Sequence, residues 1–176
     1  MTRKLNLALV VSAVLWLCIA SSAVPPQPPS STARSAARVT APDSHAELKT
    51  LKITILSTML ADDGIGEWGF SALIEADGRK ILFDTGAHPN TVLENAKDLK
   101  IDLSDVQDVV LSHFHDDHTT GLMPLRNELS KKNPAALSRV HVAKGIFLER
   151  RGKDTNPMIA VKKEYEATGG KFIEHD

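Results

Sequence analysis

The chain is short of three things, and each shortage narrows what it can be. It has one cysteine, Cys18, in 176 residues, so no internal disulfide can staple the fold. It has no excess of charge, because 21 basic against 22 acidic side chains leave a formal net charge of −1. That balance gives no electrostatic footprint for nucleic acid or for an anionic membrane surface. It also lacks an apolar run of the roughly 20 residues that span a bilayer comfortably. The apolar stretch at residues 5–20 is shorter than that and is broken by Asn6 and Ser12. Hydrophobic content of 42% with 24% charged residues then fits an ordinary globular domain. No internal repeat is present.

The amino terminus has the layout of a secretory leader. Arg3 and Lys4 precede the apolar stretch, and Ser21, Ser22 and Ala23 supply small residues where a signal peptidase reads. Residues 1–23 are therefore expected to be a signal peptide, which makes the protein exported, periplasmic or secreted, with no stable membrane association after cleavage. The competing reading is an uncleaved anchor. Leu17 stands before Cys18 where a lipoprotein signal needs a small residue. Residues 24–47 contain Pro25, Pro26, Pro28, Pro29 and Pro42 among Ser, Ala, Thr and Gln. Such a composition cannot bury a core, so this segment reads as a linker. The folded domain is expected over residues 48–176.

Within that domain, residues 51–56 alternate and are β-branched, which predicts a strand. Residues 59–68 read as a loop. Residues 70–75 and 80–83 read as strands joined by a hairpin turn at Asp77-Gly78, where glycine takes a positive φ cheaply. Apolar spacing through Val92, Leu93, Ala96 and Leu99 predicts a helix opened by Pro89 and Asn90. Ser104 is a candidate cap for one short turn before Val106. Further strands are expected at 107–111, 139–143 and 171–174, and further helices at 122–129 and 158–168. Hairpin strands followed by alternating strands and helices give an α/β class with a mixed sheet covered by helices.

The strand at 107–111 runs into Ser112-His113-Phe114-His115-Asp116-Asp117-His118. Three histidines and two carboxylates fall within six consecutive residues. A single histidine is usually a surface or core residue, but a knot of this kind at a strand end points to a metal site. Neutral imidazole and carboxylate are the usual nitrogen and oxygen donors to zinc. His113 and His115 are spaced to clamp one ion. Asp117 and His118 point elsewhere and suit a second ion, and two ions about 3.5–4 Å apart can share and activate one water. Iron or manganese would also accept such donors.

His113-x-His115-x-Asp117-His118 resembles the signature of the metallo-β-lactamase superfamily. Leu82-Phe83-Asp84-Thr85-Gly86 is similar to the strand and turn that precede it there. Glu67-Trp68-Gly69-Phe70-Ser71 is similar to the opening of the dihydropterin ribofuranosyl-aminobenzene phosphate synthase-like subgroup. The resemblance runs from about Leu51 to Leu125. It implies the αββα sandwich, His113 and His115 on one metal, Asp117 and His118 on the other, and Asp84 behind them orienting a ligand. It implies a metal-dependent hydrolase that attacks a small-molecule ester, lactone, thioester or phosphoester, with Asp117 in the catalytic set. Asp84 reads equally as a turn aspartate bonding nearby amides, Asp116 as a local structural carboxylate, and Gly121 as a point of close backbone approach.

Three departures from the family stand out. Thr120 replaces a glycine, which is disfavoured if φ must be positive. Phe114 is bulkier than the usual residue between the first two histidines. Each metal in the family normally takes another histidine from farther along, yet only His141 and His175 follow His118. His141 alternates with Val140 and Val142 and reads as a strand residue. His175 and Asp176 follow a predicted strand without a Gly-rich context. The sandwich is therefore expected to be truncated after its first αβ half, exposing an inner sheet face that invites self-association or a completing chain. The alternative function is a catalytically inactive, metal-binding remnant.

Overall fold

The computed structural model describes residues 47–149 and 156–176. Apart from Glu47, the expected leader and linker lie outside the described residues. Ten elements follow in order: β1 (Leu51–Ser57), β2 (Ser71–Ala76), β3 (Arg79–Phe83), α1 (Thr91–Asp98), β4 (Asp108–Val110), α2 (Asp116–Thr119), α3 (Leu122–Leu129), β5 (Arg139–Ala143), α4 (Pro157–Ala167) and β6 (Lys171–His175). The strands form one six-stranded mixed sheet in chain order. β1, β2 and β3 pair antiparallel, and β3 to β6 pair parallel. Among the described residues, no helix is long and apolar enough to cross a membrane.

The β2–β3 hairpin turns where the sequence predicts. Asp77 (φ 48°) and Gly78 (φ 81°) are both left-handed, the geometry of a two-residue turn that matches strand twist. Asp77 also accepts the Thr50 amide at 2.8 Å, tying the start of β1 to the turn. The short turn before Val106 differs from expectation. Asp102, not Ser104, supplies the side-chain acceptor, taking the Ser104 amide at 2.9 Å.

Strand alternation sorts the two faces of the sheet. Leu73, Leu82, Val109, Val140 and Phe172 share a register row. They join one core with Val92 and Ala96 of α1, Leu122, Leu125 and Leu129 of α3, and Met158 and Tyr165 of α4. The opposite row runs Ile53, Ile74, Ile81, Asp108 and Arg139. On that face Leu51, Ile53 and Ile55 are exposed. The described residues thus form helices on one side of a single sheet, the αβ half expected from the sequence.

A buried cation braces the far side of the core. Arg126 donates to Pro134 O at 2.8 Å, to Thr168 O at 2.9 Å, to Thr168 Oγ1 at 3.1 Å and to Ala136 O. The Tyr165 hydroxyl donates to Leu137 O, and burial pushes its pKa up to about 12.

Candidate metal centre

The parallel pair β3 and β4 ends side by side, and the site grows from those carboxyl ends, the usual place for chemistry in such sheets. At the end of β3 the chain turns sharply. Asp84 has φ 54° and is fully buried. Its amide donates to Val110 O at 2.9 Å, and its carbonyl accepts from Ser71 Oγ at 2.8 Å. These bonds hold a backbone conformation that non-glycine residues seldom adopt. They aim the carboxylate at the segment leaving β4.

That carboxylate does three things there. Oδ1 accepts the Ser112 amide at 2.8 Å, and Oδ2 accepts Ser112 Oγ at 2.7 Å. Oδ2 also lies 2.7 Å from His118 Nδ1. Ser112 Oγ is in turn 2.9 Å from His113 Nδ1. Asp84 therefore reaches His118 directly and His113 through a serine. A carboxylate against Nδ1 fixes that nitrogen as the protonated one and frees Nε2 as a donor to metal.

The cluster itself is not extended. His115 sits in β conformation (φ −68°, ψ 149°) and starts the single helical turn of α2. The His118 amide and the Thr119 hydroxyl both donate to His115 O, at 3.0 and 3.1 Å. Asp117 and His118 thus ride on a helical turn. Thr120 has φ −62°, so the β-branched residue there carries no backbone strain. Gly121 does serve close approach, because a Cβ at that position would run into Thr85 O.

Ligand atoms of His113, Asp117 and His118 lie within 4.8 Å of one another. His118 Nε2 and Asp117 Oδ2 are 3.5 Å apart. Two donors of a tetrahedral zinc with bonds of about 2.0 Å would be separated by about 3.3 Å, so this pair fits one ion with little movement. The three donors come from both of the pairs that spacing assigns to separate ions. His115 stands beside them, its ring centroid 4.6 Å from that of His113. Burial, then the neighbouring His118 and His115, holds the His113 pKa below its ordinary value, favouring the neutral ligand form. Asp116 opens α2, and its carbonyl accepts Thr120 Oγ1 at 2.7 Å. An open cleft of about 590 Å³ lies against this group, lined by Trp68, Phe114, His115, Asp116, Asp117 and Pro157.

His141 and His175 meet on adjacent strands, Nδ1 to Nε2 at 2.9 Å, with Asp108 Oδ1 3.0 Å from His141 Nε2. They are not in the three-donor group. One residue that sequence reasoning passed over is Ser112. Its place directly before the first histidine was the available signal, but its link to Asp84 spans 28 positions.

A family model described as the metallo-beta-lactamase superfamily matches residues 69–166. A curated relative from Methanocaldococcus jannaschii, a 7,8-dihydropterin-6-methyl-4-(beta-D-ribofuranosyl)-aminobenzene-5′-phosphate synthase, is 30% identical over 115 residues, covering 60% of this chain and 37% of the relative. Among solved structures, a diphosphatase of the PhnP family aligns at 20% identity and TM-score 0.43, covering 72% of this chain and 50% of that one. The metallo-beta-lactamase fold protein YhfI from Bacillus subtilis aligns at 17% identity and TM-score 0.46, covering 72% of this chain and 47% of that one. The chain thus spans 37% of the curated relative and about half of these solved chains. With the family match running through β2, the Asp84 turn, the histidine cluster and most of α4, the chain belongs to the metallo-β-lactamase superfamily.

Proposed function

We propose that this chain serves metal-dependent hydrolysis of a small-molecule ester, lactone, thioester or phosphoester. The observation that carries the reading is the convergence of His113, Asp117 and His118 at the end of β4, with Asp84 against His118. His118 and His113 would give imidazole nitrogens and Asp117 one carboxylate oxygen, and His115 would serve a second ion beside them. Zinc suits these donors, and iron or manganese are the alternatives. Bound there, the metal supplies Lewis acidity and a water acidified to a pKa near roughly 7.

The chain's own groups would do the remaining work. Asp84 holds the His118 tautomer. Asp117 would hold the ion through one carboxylate oxygen, and its other oxygen would be free to accept a proton. The cleft beside Trp68 and Phe114 would receive the substrate, with room for a small molecule. We place the protein outside the cytoplasm, on the strength of the leader pattern at residues 1–23.

The test is a panel of ester, lactone, thioester and phosphoester substrates with zinc, manganese or iron supplied. Turnover with at least one class, lost in Asp117→Ala, is expected. A second reading is metal binding without turnover, because among the described residues the three-donor group serves one ion and only His115 stands beside it for a second. Stoichiometric metal with no turnover across the panel would select it.

A further inference from the structure

Glu67 is a buried acid that neither the family signature nor the donor set uses. Its side chain is 1% exposed. A carboxylate taken out of water is costly unless every lone pair is met. Here they are met from two directions. Oε1 accepts Ser57 Oγ at 2.6 Å and the Ala87 amide at 2.8 Å. Oε2 accepts the His88 amide at 2.9 Å and lies 2.7 Å from His88 Nδ1. Burial pushes the carboxyl pKa upward, but the bonds from Ser57, Thr91, Ala87 and His88 outweigh it and hold the group below the usual range.

The partners of Glu67 bear on the cluster. Ala87 and His88 continue the turn that begins at Asp84, and Glu67 itself begins the segment that enters β2. Three residues on, the Phe70 amide donates to Asp117 O at 3.2 Å, while Phe70 O accepts the Gly86 amide at 3.0 Å. On the other segment, the Thr85 amide and hydroxyl both donate to His118 O, at 2.8 and 2.9 Å. So segments 67–70 and 85–88 are joined at two points, and each grips the backbone of one metal-donor residue. Gly69 lies between them. A Cβ there would sit 2.6 Å from Ala87 N and 2.8 Å from Asp117 O, which leaves no slack for the two to shift independently.

We infer that Glu67 is a positioning residue for the metal cluster, clamping the two segments that fix the carbonyls of Asp117 and His118. The inference rests on the metal-site reading above. Its distinctive consequence is that the donor geometry depends on a carboxylate that touches no donor atom.

Glu67→Gln tests this, because an amide in either orientation presents N–H groups to a backbone amide. Zinc affinity by competition with a chromophoric chelator and the visible spectrum of the cobalt(II)-loaded chain are the readouts. The expected result is an affinity loss of about tenfold or more, with an altered cobalt spectrum. Arg126→Lys is the control for lost stability alone, and is expected to lower Tm without moving either readout. A Glu67→Gln chain with lowered Tm but unsubstituted affinity and spectrum would overturn the inference. If Glu67→Gln does not fold, His88→Ala keeps the carboxylate and removes its ring N–H donor, leaving the backbone amide in place. A changed cobalt spectrum in His88→Ala then supports the clamp, and an unchanged one overturns it. Failure of the unsubstituted chain to bind zinc or cobalt would instead refute the metal-site reading, and the clamp with it.

Discussion

Asp84→Asn separates the charge of this carboxylate from its shape. Asparagine is nearly isosteric and tolerates left-handed backbone, so the turn at φ 54° survives the exchange. The amide oxygen can still accept the Ser112 amide, now 2.8 Å from Oδ1. The new NH2 then faces Ser112 Oγ and His118 Nδ1, each 2.7 Å from Oδ2. Ser112 Oγ can accept the NH2 with one lone pair and His113 Nδ1–H, 2.9 Å away, with the other, turning its own hydrogen aside. His118 has no such freedom. To accept from the NH2 its Nδ1 must lose the proton, and the proton moves to Nε2, the atom 3.5 Å from Asp117 Oδ2. A protonated Nε2 cannot ligate. Losing such a partner typically costs about 10–100-fold in metal affinity, or about 1.4–2.8 kcal/mol. Without metal, the buried mismatch should cost roughly 1–3 kcal/mol of stability. Zinc competition reads the first, and 15N NMR of the imidazoles reads the tautomer. Zinc affinity within twofold of the unsubstituted chain, with His118 still protonated at Nδ1, would refute the reasoning.

Other perturbations test the frame around the site. Gly121→Ala should destabilise the chain and weaken zinc binding together, because the added Cβ meets Thr85 O, and Thr85 holds His118 O; denaturant titration with and without zinc checks it. Arg126→Lys cannot reach all the carbonyls and the hydroxyl that the guanidinium serves, and about 3 kcal/mol of stability should be lost by urea unfolding. Asp108 is held at about 2 by its hydrogen bonds to Arg139, aided by His141, against an ordinary 3.8. Its folded pKa is depressed, so its contribution is present above about 4 and is lost as pH falls towards about 2. With Arg139 43% exposed, that contribution is about 1 kcal/mol. In Asp108→Asn the stability difference between pH 5 and pH 2.5 should shrink by about that amount; an unchanged difference would count against the pair.

Strands and helices whose signal is local were readable from the chain. Alternation at residues 51–56, the Asp77-Gly78 turn and the apolar period of α3 each lie within a few neighbouring positions, and each element appears where its pattern falls. The cluster was readable as chemistry for the same reason, since its donors are consecutive. Its geometry was not. The spacing His113-x-His115 suggests a clamp in extended chain, but His115 caps a helical turn that swings Asp117 and His118 round toward His113. Nothing local announces that turn, because α2 is only four residues long and has no apolar period. Asp84 left two readings open, and the structure realises both at once, a strained turn and a partner to His118. Glu67 stayed silent because its partners lie ten to twenty-four positions away and only the folded turn brings them together.

The most direct measurement is the metal content of the purified chain after equilibration with zinc, set beside His113→Ala, Asp117→Ala and His118→Ala, with circular dichroism to show that each remains folded. Stoichiometric zinc in the unsubstituted chain, and a substantial loss in each variant, is the expected result. Near-zero metal in all four, or undiminished metal in the three variants, would contradict a metal centre at the end of β4.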